Sequence, residues 1–224
     1  MNKQENTQRI YVAGDRECYV YFDTEFTGLT KNTDLISIGL ITADGKTFYA
    51  ELTDYNKENI DEFIEKYVLT NLSNPVNCLE GDAWTITGDK ETVSNALNKW
   101  LDENYASKNK LVQFASDVSH FDFVLLIDLI TNGGSALDLP EYISPCVVDV
   151  NQDLATSLYR EVPEGVTEEE FNKNYVPAAV AFNINRVECI KSEFKDEEEI
   201  KGVQHNALFD AKIIRKIHQH LWNL

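Results

Sequence analysis

Two acidic residues, Asp23 and Glu25, stand at the end of an apolar run of β-type residues. Because side chains alternate along a strand, both carboxylates face the same side. Two carboxylates this close repel each other, and a hard divalent cation between them reverses the repulsion. An isolated pair is more simply explained as exposed acids at a strand end, so the pair indicates a metal site only together with further ligands.

A third acidic candidate, Asp122, lies in the first turn of an apolar helix predicted over Phe121 to Ile130. Taken alone, Asp122 could simply cap the helix, because a carboxylate there interacts favourably with the free N–H groups and the helix dipole. Asp117 and Asp128 are nearby rivals. Asp128 sits inside the helix, where it could face solvent.

His205 and Asp210 flank the start of a strongly amphipathic last helix, Ala207 to Trp222. If Asn206 caps this helix, His205 lies just outside it and Asp210 projects from the first full turn. A carboxylate ligand beside a titratable base is what metal-assisted hydrolysis requires. His218 and His220, further along, are expected to be surface or interface histidines.

Strands and helices alternate around these residues, which predicts one mixed α/β domain over residues 1–224. Apolar runs predict strands over Cys18–Thr24, Leu35–Thr42, Thr47–Leu52, Leu111–Ala115 and Cys146–Val150. The first three form an antiparallel meander, since Asp44-Gly45 is typical of a hairpin turn. Helical spacing of apolar residues predicts the other helices, Asn56–Leu69, Glu91–Tyr105 and Gln152–Tyr159.

The segment from Arg160 to Gly202 shows no clear periodicity and is expected to be an irregular insertion. Its acidic run, Asp196 to Glu199, is expected to be a solvated surface, because consecutive carboxylates point in different directions.

The chain has 224 residues, 43% of them hydrophobic and 11% aromatic, which suits a single well-packed domain. It contains no apolar stretch of the roughly 18 residues that a membrane span needs. The polar N-terminus lacks the apolar core of a secretory signal. These features predict a soluble, cytoplasmic protein with no membrane partner. The four cysteines are scattered and form no Cys-x-x-Cys pair, which argues against a zinc site or a disulfide framework.

The net charge of −18 weighs against a protein that wraps a long nucleic-acid backbone, since such proteins usually present a basic face. An enzyme that holds one strand end through metal ions stays compatible with this charge, because the cations themselves supply positive charge.

Three motifs resemble those of the DEDD exonuclease superfamily, in the same order along the chain. Phe22-Asp23-Thr24-Glu25-Phe26-Thr27-Gly28-Leu29 resembles the first motif, and Phe121-Asp122-x-x-Leu125 the second. His205-x-Ala207-x-x-Asp210 resembles the third motif of the histidine-containing branch. The stretch from Asp34 to Ala50 is most similar to small bacterial and phage exoribonuclease-like members. Two features depart from the pattern: Asp117-Val118 stands where proofreading members often carry His-Asn, and residues 160–202 have no counterpart.

The resemblance implies an RNase H-like fold, with a mixed five-stranded sheet flanked by helices. It also implies a 3′-5′ exonuclease that acts on the 3′ end of single-stranded RNA or DNA, with RNA favoured, and releases nucleoside monophosphates. Two cations, Mg²⁺ or Mn²⁺, would clamp the attacking and leaving oxygens. A homodimer is compatible with the resemblance.

The resemblance further assigns a role to each motif residue. Asp23 would bridge both cations, and Glu25, Asp122 and Asp210 would complete their coordination. His205 would deprotonate the attacking water. The residues expected to contact the terminal nucleotide are Phe26, Thr27, Gly28 and Leu29.

Two other functions remain open from the sequence. A DNA exonuclease of the proofreading or repair type would use the same metal site, and only the surface that meets the 2′ position would differ. A non-catalytic module on the same fold would fit the acidic surface, which suits a basic partner. The intact acidic residues and His205 count against that second alternative.

Overall fold

The computed structural model describes residues 18–72, 83–158, 164–167, 169–170, 185–196 and 198–223. The strands are β1 (Tyr19–Phe26), β2 (Leu35–Thr42), β3 (Thr47–Leu52), β4 (Ala83–Gly88), β5 (Val112–Ser116) and β6 (Ile143–Asp149). The α-helices are α1 (Thr70–Leu72), α2 (Lys90–Asn104), α3 (Ser119–Ile130), α4 (Val150–Leu158), α5 (Arg186–Ser192) and α6 (Ala207–Trp222). A π-helix, Ile64–Leu69, leads directly into α1, and short 3-10 turns occupy Lys57–Asn59, Ala106–Lys108 and Ala136–Asp138.

The strands form one mixed sheet in the order β4-β3-β2-β1-β5-β6. β1, β2 and β3 are antiparallel neighbours, as the hairpin at Asp44-Gly45 predicts. β5 and β6 run parallel to β1, and β4 runs parallel to β3 at the other edge. β1 therefore lies in the middle of the sheet, with its carboxyl end beside that of β5.

Helices cover both faces of the sheet, which explains why all eight residues of β2 are buried. On one face, Val20, Phe22 and Leu40 pack with α2 and α3. On the other face, Tyr21 and Ile41 pack with α4, α5 and α6. The alternation along β1 thus sends Asp23 and Glu25 toward the α6 face, in step with Tyr21.

The mixed α/β fold predicted from the sequence is confirmed, and its topology is consistent with an RNase H-like arrangement. Within the described residues the sheet has six strands, so the expected count of five is wrong by one. The additional strand is β4, a half-exposed edge strand. The bounds predicted for β2, β3 and α6 match the structure.

Two other segments differ from the sequence-based expectation. In place of the single helix predicted over Asn56–Leu69, the structure has a 3-10 turn and the π-helix, which continues into α1 beyond the predicted end. The segment expected to be irregular, residues 160–202, contains α5. Its acidic run is partly tied to α6, because Asp196 accepts hydrogen bonds from Lys216 and His220.

None of the helices in the described ranges is both long enough and apolar enough to cross a membrane.

Candidate active site

A cavity of about 560 Å³ opens where β1 ends and where α3 and α6 begin. The carboxyl ends of neighbouring parallel strands are the usual place for a ligand crevice in such sheets. The five candidates Asp23, Glu25, Asp122, His205 and Asp210 all line it. The rest of its lining comprises Thr24, Phe26, Gly28, Leu29, Asp61, Phe63, Ile64, Val68, Asp117, Val118, Arg186 and Gln204.

The acidic side chains fall into two overlapping groups that share Asp23. In one group, a ligand oxygen from each of Asp23, Glu25 and Asp210 lies within 4.8 Å of the others. In the second, the same holds for Asp23, Asp117 and Asp122. Each of these two sets of three carboxylates could hold a metal ion, and Asp23 belongs to both sets.

Asp122 is held by two hydroxyl groups rather than acting as a helix cap. Thr24 Oγ1 donates a hydrogen bond to Asp122 Oδ1 over 2.6 Å, and Ser116 donates one to Oδ2. Thr24 belongs to β1 and Ser116 ends β5, so the second motif is fixed to both central strands. Each carboxylate oxygen has a further lone pair that a cation can use.

Asp210 is fixed by the backbone that precedes α6. Asn206 caps the helix, as predicted, by accepting a hydrogen bond from Phe209 N over 3.3 Å. His205 adopts a left-handed conformation with φ of 62°, and its backbone N–H donates to Asp210 Oδ2 over 2.8 Å. This conformation is uncommon outside glycine, although His tolerates it better than most residues. The turn therefore places His205 and Asp210 beside each other.

Gly39 allows the start of α6 to approach the sheet. It lies on β2 directly opposite Asp23 of β1. A Cβ atom at Gly39 would overlap backbone atoms of Ala207 and Leu208. Without a side chain at this position, the first turn of α6 rests on the strand, which brings Asp210 to the Asp23 carboxylate.

Burial raises the pKa of Asp23 and Glu25 well above their ordinary values, and repulsion from the neighbouring carboxylates raises it further. The pKa of Asp122 and of Asp210 is raised to about 7, mainly by burial and then by the charge of Asp117. The hydrogen bonds from Ser116 and Thr24 act in the opposite direction at Asp122. Without a counter-charge, this site therefore favours protonated carboxyl groups.

The donor set fits hard divalent cations. All members of the two acidic groups are carboxylate oxygens, which suit Mg²⁺ or Mn²⁺ better than zinc. A cation between them would also remove the repulsion that raises the carboxyl pKa values.

His205 is half-buried, and desolvation lowers its pKa below the ordinary value. The ring is therefore neutral near pH 7 and able to accept a proton. It contacts two aromatic rings at the cavity rim, with centroids 5.3 Å from Phe63 and 6.4 Å from Tyr67. Phe63, which directly precedes the π-helix, is 50% exposed.

The loop after β1 contributes unequally to the cavity. Phe26, Gly28 and Leu29 line it, and Leu29 is 65% exposed. Thr27 is buried, and its hydroxyl accepts a hydrogen bond from Asp34 N over 2.9 Å. Thr33 Oγ1 accepts one from Gly28 N over 3.1 Å. Thr27 and Thr33 thus shape the loop, while Leu29 presents an apolar tip.

Among the cavity residues that were not assigned a role from the sequence are the ion-paired Asp117 and Arg186. Asp117, considered there as a rival of Asp122, is the third member of the second acidic group. Arg186 Nη2 lies 2.6 Å from Asp117 Oδ2. Burial raises the pKa of Asp117, although the Arg186 charge opposes this. No local motif marks Arg186, because its partner lies far away in the sequence.

The other candidates considered from the sequence lie outside the cavity. Asp128 pairs with Lys90 Nζ at 2.6 Å on the far side of α3. His218 is buried, and the expectation of a surface or interface residue is wrong, because its Nδ1 lies 3.0 Å from the Tyr21 hydroxyl inside the core. His220 is partly exposed and contacts Asp196.

Residues 18–222 match the family model described as the 3′-5′ exoribonuclease Rv2179c-like domain. The match covers nearly the whole chain, and the chain belongs to this family.

Two curated relatives from Mycobacterium tuberculosis share part of the sequence. They are 3′-5′ exoribonuclease Rv2179c of strain ATCC 25618 / H37Rv and 3′-5′ exoribonuclease MT2234.1 of strain CDC 1551 / Oshkosh. Each is 34% identical to the chain over 59 residues, which cover 26% of this chain and 35% of the relative. The matched stretch thus spans about a third of the length of these relatives.

Proposed function

We propose that this member of the Rv2179c-like family is a 3′-5′ exonuclease that removes nucleoside monophosphates from single-stranded RNA with two divalent cations. The observation that carries the proposal is the pair of carboxylate groups that share Asp23, with His205 beside Asp210 in the same cavity. The preference for RNA rests on the family description and on the names of the two relatives.

One cation would be held by Asp23, Glu25 and Asp210. The other would be held by Asp122 and, again, Asp23. When bound, the cations stabilise the charge that develops on the attacking and leaving oxygens of an in-line displacement. The chain contributes the fixed geometry: Thr24 and Ser116 orient Asp122, and the His205 backbone orients Asp210. Ligands held in this way need little rearrangement during the reaction.

His205 would accept the proton of the attacking water. Its lowered pKa keeps the imidazole neutral and able to accept a proton. Its neighbours in the cavity are carboxylates, which would coordinate the cations and would not compete with His205 for the proton of the water. The rings of Phe63 and Tyr67 restrict the side chain on one side. A base of this kind contributes roughly 10²–10⁴-fold to the rate.

The rim of the cavity supports a role in binding bases of a single strand. Phe63 is 50% exposed and Leu29 65% exposed, and both line the cavity. Aromatic faces stack on bases with little sequence preference, each stack contributing about 1–3 kcal/mol. We propose that Phe63 and Leu29 hold the terminal base between them.

The size and charge of the cavity support attack at a strand end. Its volume of about 560 Å³ is that of a small-ligand site, within the usual range of about 300–1,000 Å³. The chain has a net charge of −18, and six of the seventeen described residues that line the cavity are Asp or Glu. A long phosphate backbone would be repelled, whereas one terminal nucleotide can be held by the cations and the apolar rim.

The proposal is tested with 5′-labelled single-stranded RNA and DNA of the same sequence, incubated with Mg²⁺ or Mn²⁺ and resolved on a sequencing gel. We expect a ladder that shortens from the 3′ end, with RNA degraded faster. Asp23→Asn should give no ladder, and Asp128→Asn, which removes an equivalent carboxylate outside the cavity, should degrade RNA like the wild type. Faster degradation of DNA would overturn the RNA preference. Absence of a ladder from the folded wild type would overturn the enzyme proposal and favour a binding module.

A further inference from the structure

Arg186 brings a positive charge into a cavity whose carboxylates are otherwise without a fixed counter-charge. Among the described residues that line the cavity, six are Asp or Glu and Arg186 is the one Arg or Lys. It is the first residue of α5, within the segment expected from the sequence to be an irregular insertion, and its side chain is 23% exposed. A cation in this position meets whatever enters the cavity.

Two buried side chains fix the guanidinium group. Arg186 Nη2 lies 2.6 Å from Asp117 Oδ2 and donates to Asn151 Oδ1 over 3.3 Å. Asn151 Nδ2 in turn donates to the backbone carbonyl of Asp117 over 2.7 Å. Asp117 and Asn151 are 7% and 9% exposed. These contacts join the end of β5, α4 and α5 around one guanidinium.

The guanidinium retains unused hydrogen-bonding capacity. An arginine has five N–H donors in a rigid planar fork. Nε of Arg186 is buried and finds no acceptor among the described residues. The described residues therefore do not satisfy every donor of this guanidinium, whose side chain is 23% exposed.

We propose that Arg186 binds the scissile phosphate of the substrate, and that Asp117 and Asn151 position its guanidinium for this contact. The inference rests on the proposed exonuclease function. The planar fork of arginine matches phosphate oxygens and remains charged at every relevant pH. Two divalent cations would balance the charges of Asp23, Glu25, Asp122 and Asp210, and Asp117 balances Arg186. Asp61 is then the one carboxylate of the described lining without a counter-charge, so most of the repulsion of the phosphate is removed.

The main competing explanation is that Arg186 only neutralises the buried Asp117. An uncompensated buried carboxylate is strongly destabilising, so Arg186→Met alone could act through Asp117. The double variant Asp117→Asn/Arg186→Met removes both charges together and avoids this effect. Because Asp117 also belongs to the second acidic group, Mg²⁺ affinity is measured beside AMP affinity in the double variant. Weak AMP binding at wild-type Mg²⁺ affinity assigns the phosphate contact to Arg186, and wild-type AMP affinity assigns it the counter-ion role.

The experiment measures binding of AMP and of adenosine by titration calorimetry in the presence of Mg²⁺. AMP carries the phosphate that cleavage would leave on the released nucleotide, and adenosine lacks it. We expect Arg186→Met to weaken AMP binding at least tenfold and to leave adenosine binding unchanged. The double variant should remain as weak for AMP, and Arg186→Lys should recover part of the affinity.

Recovery of wild-type AMP affinity in the double variant would show that Arg186 is a counter-ion, and would overturn the inference. So would unchanged AMP affinity in Arg186→Met. Neither result affects the ladder that the wild type makes from RNA, which tests the proposed function separately. A wild type that makes no ladder overturns the function and, with it, the role of Arg186.

Discussion

At the scale of single residues, the site is defined by carboxylates that are unfavourable together without cations. Asp23 is partly buried among four other acids, and its pKa is raised first by desolvation and then by Asp122, Asp210 and Glu25. Only a compensating positive charge makes such an arrangement stable in its ionised form. The arrangement is therefore explained by cation binding better than by a structural role.

The raised pKa values predict how stability depends on pH in the absence of metal. Asp122 and Asp210 have a pKa of about 7, above the ordinary value of 3.8. Their stability contribution is fully present below the ordinary value and is lost as the pH rises through about 7. We expect the protein in EDTA to have a lower Tm at pH 8 than at pH 6, and Mg²⁺ to raise the Tm more at pH 8.

Thermal unfolding of the wild type and of Asp23→Asn at both pH values checks this prediction. The variant loses one repelling carboxylate, so its Tm in EDTA should depend less on pH. Equal pH dependence in the two proteins would show that general surface charge, and not the cluster, causes the effect.

The role of His205 predicts a loss of rate without a loss of metal. His205→Asn keeps the backbone hydrogen bond to Asp210 and removes the proton acceptor. We expect kcat to fall roughly 10²–10⁴-fold, the range for a general base, while Mn²⁺ affinity stays the same. His220→Asn, on α6 and in contact with Asp196 outside the cavity, is the matched control and should keep the wild-type kcat. A His205→Asn enzyme with full activity would remove His205 from the mechanism.

At the scale of elements, three chain segments meet at the carboxyl end of the central strand β1. β1 carries Asp23 and Glu25, α3 carries Asp122 and α6 carries Asp210. α6 can supply its ligand only because Gly39 lets its first turn rest on β2. The distance between the carboxylates of Asp23 and Asp210 thus depends on Gly39, which has no side chain.

Gly39→Ala is expected to push α6 away from the sheet and to weaken metal binding. Inserting a methyl group into a packed contact usually costs about 1–3 kcal/mol, and here the opposing atoms are backbone. Calorimetric Mn²⁺ titration and thermal unfolding measure the two effects. Gly88→Ala is the matched control at the sheet edge, where the methyl group meets the side chain of Thr92. Wild-type Mn²⁺ affinity in Gly39→Ala would contradict the proposed dependence.

The elements that could be predicted from the sequence are those with strong local signals. Leu35–Thr42 is a continuous apolar run, and Ala207–Trp222 has an asparagine cap and a clear apolar stripe. The edge strand Ala83–Gly88 was missed, because it is short and has only two large apolar residues, Trp84 and Ile86. The π-helix Ile64–Leu69 was predicted as an ordinary helix, because its apolar spacing resembles that of one.

The residues of the candidate site that could be predicted are likewise those with strong local signals. Asp23, Glu25, Asp122, His205 and Asp210 lie in short motifs whose local context could be predicted, and the structure places them in one cavity. Arg186 could not be predicted, because its proximity to Asp117 depends on the packing of α4 and α5 against the sheet. The buried position of His218 depends likewise on Tyr21, at the other end of the chain.

At the scale of the whole molecule, the chain that carries this site has a net charge of −18. Proteins that bind nucleic acid through many phosphate contacts carry basic surfaces, and this chain does not have that composition. The positive charge that a phosphodiester needs would come from divalent cations and from Arg186. The acidic surface then has a consequence for selectivity, because it disfavours every part of the substrate except the end that reaches the cations.

The most direct test of the account is the number of Mn²⁺ ions that bind specifically, measured by electron paramagnetic resonance titration of the wild type and of Asp23→Asn. An acidic protein binds some Mn²⁺ weakly over its surface, so the difference between the two proteins is the relevant quantity. Because Asp23 belongs to both carboxylate groups, we predict two specific ions in the wild type and neither in the variant. Two ions retained by Asp23→Asn, or none bound by the wild type, would contradict the two-cation site.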